Sequence, residues 1–134
     1  MKVKNIMSDR SVEKDTKYIL VVDDEPEIRQ SLKIILDDCG YVSSIASTGK
    51  QALQKFDEEQ FDLVITDIRM PEMGGLDVIE QLRKKGHDVP ILIITAYVYK
   101  EMAVRAMQLG ASGYLLKPID FDELISQVEM LLDV

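Results

Sequence analysis

Cysteine and histidine occur once each in the 134 residues, and tryptophan not at all. With Cys39 alone no internal disulfide can form, which suits a reducing cytosol. His87 precedes a strand-like run and reads as a surface loop residue, not as a catalytic base or a phosphate-relay histidine. No apolar run approaches the ~18 residues of a membrane span. Met1 to Thr16 also lacks the ~7–15-residue apolar stretch of a signal peptide. Basic charge is scarce: 16 Lys and Arg stand against 24 Asp and Glu, a net charge of −8. A phosphate backbone needs a basic face, so this balance argues against nucleic acid as a direct ligand. The expectation is a cytoplasmic protein with no membrane segment.

What is present is order. Residues 1–16 are polar and without period, and read as a flexible extension. From residue 17 to 134 a single domain is expected, with enough apolar residues, 46%, for one buried core. Short β-rich runs alternate there with amphipathic stretches. The runs are Tyr18–Val22, Val42–Ala46, Leu63–Thr66, Ile91–Thr95 and Gly113–Leu116. Helices are predicted near Pro26–Asp38, Thr48–Glu58, Leu76–Lys84, Lys100–Leu109 and Phe121–Leu132.

Local signals mark the boundaries. Pro26 suits a first helical turn, where its missing N–H costs nothing. Ile28, Leu32, Ile35 and Leu36 recur at helical spacing, and Gly40 follows as a stop. Ser47 or Thr48 can cap the second helix, and Asp120 with Glu123 resembles a capping box. Met102 and Met107 read as core or partial core, and Cys39 as a helix-end residue.

Four of the five runs are almost wholly apolar instead of alternating. Strands covered on both faces read that way, which implies a parallel sheet between helices. Five strand–helix repeats with right-handed crossovers give an α/β, doubly wound (βα)5 sandwich. The expected strand order is 2-1-3-4-5, flavodoxin-like, with ligands at the carboxyl ends of the strands. A closed eight-unit barrel needs roughly 200 residues or more and is excluded.

The chemistry lies where the strand runs end. The first run ends Val22-Asp23-Asp24, the third Thr66-Asp67, the fourth Ile94-Thr95 and the fifth Leu116-Lys117. In the expected order these four strands are neighbours, so three carboxylates, a hydroxyl and an ammonium share one shallow site. At ~4 Å and an effective dielectric of about 20, each like-charged pair costs about 4 kcal/mol. One lysine cannot offset three carboxylates. A hard divalent cation can, and Mg²⁺ prefers one or two carboxylates together with a phosphate oxygen. A carboxylate is itself able to accept a phosphoryl group. Thr95 and the Ala96 N–H could then hydrogen-bond its oxygens.

The acidic pair in Val21-Val22-Asp23-Asp24-Glu25, the segment Asp67-Ile68-Arg69-Met70-Pro71 with Gly74-Gly75-Leu76, Thr95-Ala96 and Lys117-Pro118 together resemble the response-regulator receiver signature of two-component signal transduction. The resemblance spans Lys17 to about Val134 in the family's order. It implies that Asp67 accepts a phosphoryl group from a phosphohistidine on a sensor histidine kinase or a histidine phosphotransfer protein. It implies Mg²⁺ held by Asp24, Asp67 and the backbone carbonyl of Arg69, with Asp23 acting directly or through water. Lys117 would pair with the acceptor carboxylate and then with the phosphoryl group, and its bond to Pro118 would be cis. Thr95 would move toward the phosphoryl group and Tyr114 would swing inward. That remodels the face of helix 4, strand 5 and helix 5, toward a downstream output domain or target protein or a homodimer. Arg69 and Tyr97 occupy the positions that tune phosphoryl lifetime, where their size would slow hydrolysis.

Taken singly, these residues have plainer readings. Asp23 and Asp24 suit a turn before a helix, Asp67 with Pro71 a loop, Lys117 a solvated charge. Only their joint placement selects the site. A phosphatase with an aspartyl nucleophile would want a second acid two residues on, where Arg69 stands. A flavin module would want a hydroxyl- and glycine-rich loop after the first strand, where Asp23-Asp24-Glu25 would repel a phosphate. A phosphorylation-independent scaffold would not need the full set of site residues.

Overall fold

In the computed structural model, residues 15–96 and 99–133 are described. The proposed extension therefore lies almost wholly outside the described residues, as does Tyr97. Five strands alternate with five helices: β1 Tyr18–Val22, α1 Pro26–Asp38, β2 Val42–Ala46, α2 Gly49–Glu58, β3 Leu63–Asp67, α3 Gly75–Lys84, β4 Ile91–Thr95, α4 Lys100–Leu109, β5 Gly113–Leu116 and α5 Phe121–Leu132. The strands form one sheet in the order β2-β1-β3-β4-β5, and every neighbouring pair is parallel. This is the expected flavodoxin-like sandwich.

Period-two alternation sends successive strand residues to opposite faces even though both kinds are apolar. Ile19, Val21, Ile65 and Leu92 pack with Leu32 and Leu36 of α1 and Leu124 and Val128 of α5. Leu20, Val22, Val64 and Ile93 pack with Phe56 of α2, Val78 and Leu82 of α3 and Ala106 of α4. Each of these fully buried aliphatic side chains stabilises the fold by about 1.5–3 kcal/mol. Only β2, at the edge, mixes serines into its run. One of them, Ser43, is buried and satisfied: its hydroxyl donates to Asp37 Oδ1 at 2.7 Å.

The helix signals hold in their physical detail. Pro26 opens α1. Thr48 caps α2, its side chain accepting from the Gln51 N–H at 3.0 Å, while Gln51 Oε1 accepts from the Ser47 N–H at 2.6 Å. Asp120 Oδ1 accepts from the N–H groups of Asp122 and Glu123 at 2.9 and 3.2 Å. Three readings are corrected. β3 continues through Asp67, which still pairs in register with Ile94. Met107 is 48% exposed, because α4 buries only Ala106 and turns Val104 and Met107 outward. His87 is half-buried, its ring 5.0 Å from that of Phe56 in an edge contact.

Candidate functional site

Strand register assembles the site. Val22 pairs with Thr66, so the next residues, Asp23 and Asp67, lie side by side at the carboxyl edge of the sheet. Asp67 pairs with Ile94 and Thr95 with Leu116, which carries the edge across to Lys117. The Lys117 N–H donates to the Thr95 carbonyl at 2.8 Å, and the Lys117–Pro118 bond is cis.

Backbone groups fix the carboxylates. Asp23 is fully buried; its Oδ1 accepts from the Glu25 N–H at 2.9 Å and its carbonyl accepts from Arg29 Nη1 at 2.7 Å. Asp67 is buried, with Oδ1 accepting from the Arg69 N–H at 3.2 Å. The glycine pair Gly74-Gly75 explains how α3 starts so close to this loop. A Cβ on Gly75 would collide with the Asp67 carbonyl, and one on Gly74 with the Ile68 carbonyl. The Gly75 N–H instead donates to the Ile68 carbonyl at 2.8 Å.

Lys117 reaches into this group from β5. Its Nζ lies 2.9 Å from Asp67 Oδ2, 2.9 Å from Asp23 Oδ2 and 2.7 Å from Glu25 Oε1, and its side chain is only 10% exposed. Burial acts to lower the lysine pKa, but the carboxylates of Glu25, Asp23 and Asp67 outweigh it and hold the ammonium above its ordinary range. Burial likewise pushes the Asp23 carboxyl up. Lys117 and the Glu25 N–H pull it down and Asp67 pushes it up further, so it remains raised. Asp23 Oδ2 has the ammonium close by but no aligned hydrogen-bond donor, and it is buried.

That orphaned oxygen bears on metal binding. Asp23, Asp24, Glu25 and Asp67 each offer one oxygen, and these lie within 4.8 Å of one another. Against them stands one ammonium. The donors are all hard oxygens, and Asp24 and Glu25 are exposed, which leaves room for coordinated water. The set fits Mg²⁺, which keeps several waters and takes few carboxylates.

Six of the seven expected site residues, Asp23, Asp24, Asp67, Arg69, Thr95 and Lys117, lie at this edge. Asp23, Asp24, Asp67 and Lys117 converge directly. Thr95 is buried beside them at the end of β4. Arg69 contributes its N–H while its side chain is exposed. Tyr114 is half-buried farther down β5, opposite Ile93, two residues before Thr95 in register. Burial first, and the Asp67 charge second, raise its phenol pKa. Glu25 was missed. It was legible only as the third acid of the run Asp23-Asp24-Glu25; standing just before Pro26, it reads as a helix start. A groove of about 960 Å³, lined by Tyr18, Phe56, Asp62 and His87 among others, lies at the opposite edge of the sheet and is separate from this chemistry.

Comparison with known proteins agrees with the geometry. Residues 19–129 match the response regulator receiver domain family. The chain belongs to that family. Receiver domains are the signalling switches of two-component response regulators. This receiver is 42% identical over 118 residues to the transcriptional regulatory protein ZraR of Escherichia coli (strain K12), a match covering 88% of this chain and 27% of that protein. The chain thus spans about a quarter of the length of that curated relative. Among solved structures, the CheY-like receiver domain protein of Methanospirillum hungatei JF-1 superposes with a TM-score of 0.84 at 34% identity, covering 88% of this receiver and 94% of that chain. The response regulator TrrA of Thermotoga maritima, solved in complex with Mg²⁺-BeF, gives 0.79 at 43% identity, covering 87% and 99%. No helix among the described residues is long and apolar enough to cross a membrane.

Proposed function

We propose that this receiver is a Mg²⁺-dependent phospho-aspartate switch working in the cytoplasm, with Asp67 as the phosphoacceptor. The observation that carries the reading is the Lys117 ammonium lodged 2.9 Å from both Asp67 Oδ2 and the otherwise orphaned Asp23 Oδ2. The Mg²⁺-BeF complex of the 43%-identical TrrA supports it by likeness. The donor is a phosphohistidine on a sensor histidine kinase or a histidine phosphotransfer protein. A bond forms from an Asp67 carboxylate oxygen to phosphorus as the phosphorus–nitrogen bond to the donor imidazole breaks.

Lys117 offsets negative charge on the transferring oxygens. Its own position is set by the neighbouring carboxylates. Asp24, Asp67 and the Arg69 carbonyl would hold Mg²⁺, with Asp23 direct or through water. When bound, Mg²⁺ supplies further charge neutralisation at the phosphoryl oxygens. Thr95 lies on the face of β4 that carries Ile91 and Ile93, and Tyr114 packs against that same core. A hydroxyl drawn toward the phosphoryl group at Thr95 therefore changes the space available to Tyr114. The altered surface is that of α4, β5 and α5, offered to an output domain, a target protein or a second copy. The exposed Arg69 side chain screens the acyl phosphate.

The test is incubation with MgCl2 and a small acyl phosphate or fluoroberyllate, read by intact mass and tyrosine fluorescence. Wild type should gain one phosphoryl group and Asp67→Asn none. Labelling of Asp67→Asn, or steady release of phosphate from ordinary monoesters, would overturn the reading.

A further inference from the structure

We infer that Glu25 is a positioning residue: it tethers Lys117 in the unphosphorylated receiver and competes with the incoming phosphoryl group for the ammonium. The inference rests on the phosphoacceptor reading of Asp67. Its starting point is the shortest contact of the lysine, 2.7 Å to Glu25 Oε1, across 92 positions of sequence. The Glu25 side chain is 57% exposed. Burial therefore does not force the contact; the charge pair makes it.

The geometry shows what the tether does. A lysine has three N–H donors. Here Glu25 Oε1 and Asp67 Oδ2 receive hydrogen bonds, at 2.7 and 2.9 Å. Asp23 Oδ2 is equally close yet receives none, although it is fully buried and Glu25 is not. The ammonium is thus shared among the exposed acid and two buried ones, with its shortest contact to the exposed one. A phosphoryl oxygen arriving at Asp67 also needs a donor from this ammonium, and such charge-assisted bonds are the strong ones. Glu25 engages one of the lysine's three N–H donors and draws the ammonium toward itself, and it adds a like charge at the mouth of the site.

Its place in the chain leaves Glu25 free for this role. It is the N-cap residue of α1, but its side chain makes no cap hydrogen bond. The N–H that steadies Asp23 comes from its backbone. Removing the side chain therefore costs neither a helix cap nor the Asp23 contact, and the variants should fold.

The experiment measures phosphorylation of the wild type, Glu25→Gln and Glu25→Ala by acetyl phosphate at saturating Mg²⁺. In the reaction the phosphoryl group passes to an Asp67 oxygen and acetate leaves. Glu25→Ala should lower the half-saturating donor concentration about 2- to 5-fold, the weight of one half-exposed ion pair. Glu25→Gln, which keeps an oxygen but loses the charge, should fall between. The change should fall on the half-saturating donor concentration more than on the maximal rate. An unchanged or raised half-saturating concentration in both variants would overturn the tether. A raised half-saturating Mg²⁺ concentration without a gain at saturation would make Glu25 a metal ligand, and would overturn it as well. If the wild type takes no label, the phosphoacceptor reading has failed first and the tether falls with it.

Discussion

The two edges of the sheet treat polar groups in opposite ways. At the carboxyl edge four carboxylates crowd one ammonium, and a buried oxygen of Asp23 has no aligned donor. At the amino edge the buried polar groups are answered. The Tyr18 N–H donates to Asp62 Oδ2 at 2.8 Å and the Ile91 N–H to Ser112 Oγ at 3.1 Å. Arg83 donates to the carbonyls of His87, Val89 and Gly110 at 2.8, 2.9 and 2.6 Å, joining the end of α3 to the end of α4. The Phe56 ring meets both Phe61 and His87, at 5.2 and 5.0 Å. One edge is arranged for stability. The other keeps local conflict of the kind that proteins retain at functional sites.

The sharpest separation comes from one variant at the carboxyl edge. Asp67→Asn should abolish phosphoryl labelling completely while leaving unfolding free energy unchanged or raised, because it relieves like-charge repulsion and Lys117 keeps Asp23 and Glu25. Intact mass and urea unfolding read the two effects. A large loss of stability would show that the Asp67–Lys117 pair holds the fold and would erase the contrast. At the amino edge the signs reverse. Arg83→Ala should cost about 2–3 kcal/mol, since each hydrogen bond from a charged group contributes about 1.5–3 kcal/mol before exposed carbonyls recover water. Labelling of Asp67 by a small phosphodonor should persist.

The contrast also sorts what could be read from sequence. The carboxyl edge was legible because each strand is a short apolar run that gives way to polar chemistry at its end. Asp23, Asp67, Thr95 and Lys117 are fixed in space once the strand order is known. Asp67 itself was placed just past β3 and lies at its last position, since a polar side chain does not stop the backbone from pairing. Glu25 was not legible because its role depends on where a lysine 92 residues away can reach. Arg83 was illegible for a related reason. All three of its acceptors are backbone carbonyls, which carry no sequence mark. His87 showed its edge of the sheet but not its neighbour Phe56, because periodicity reports faces and not partners.

A smaller effect tests how tightly the amino edge is built. Gly110 caps α4 at φ +110°, and a Cβ there would lie 2.8 Å from Arg83 Nε. Gly110→Ala should cost about 1–2 kcal/mol from the left-handed backbone alone. Displacing the anchored guanidinium adds to that. In an Arg83→Ala background the added part should vanish and only the backbone cost remain, which a double-mutant cycle by urea unfolding will measure. Equal costs in both backgrounds would show that the guanidinium yields freely.

The smallest expected effect is a coupling near zero between the edges. Mg²⁺ at about 100 times its dissociation constant should stabilise the receiver by roughly 2.7 kcal/mol through the carboxyl edge. β4 separates the edges by about 13 Å, four steps of about 3.3 Å each. Sites that far apart without shared partners add to within about 0.5 kcal/mol. The Mg²⁺ increment should therefore be the same in wild type and Arg83→Ala. One element could break this additivity. α4 runs from Lys100 back to Leu109, its C-cap Gly110 held by Arg83, and Ala106 is its one buried residue. A helix held so lightly along its length passes little strain from end to end unless it moves as a body. A coupling above about 1 kcal/mol would mean that it does, and that Arg83 anchors the end about which it turns.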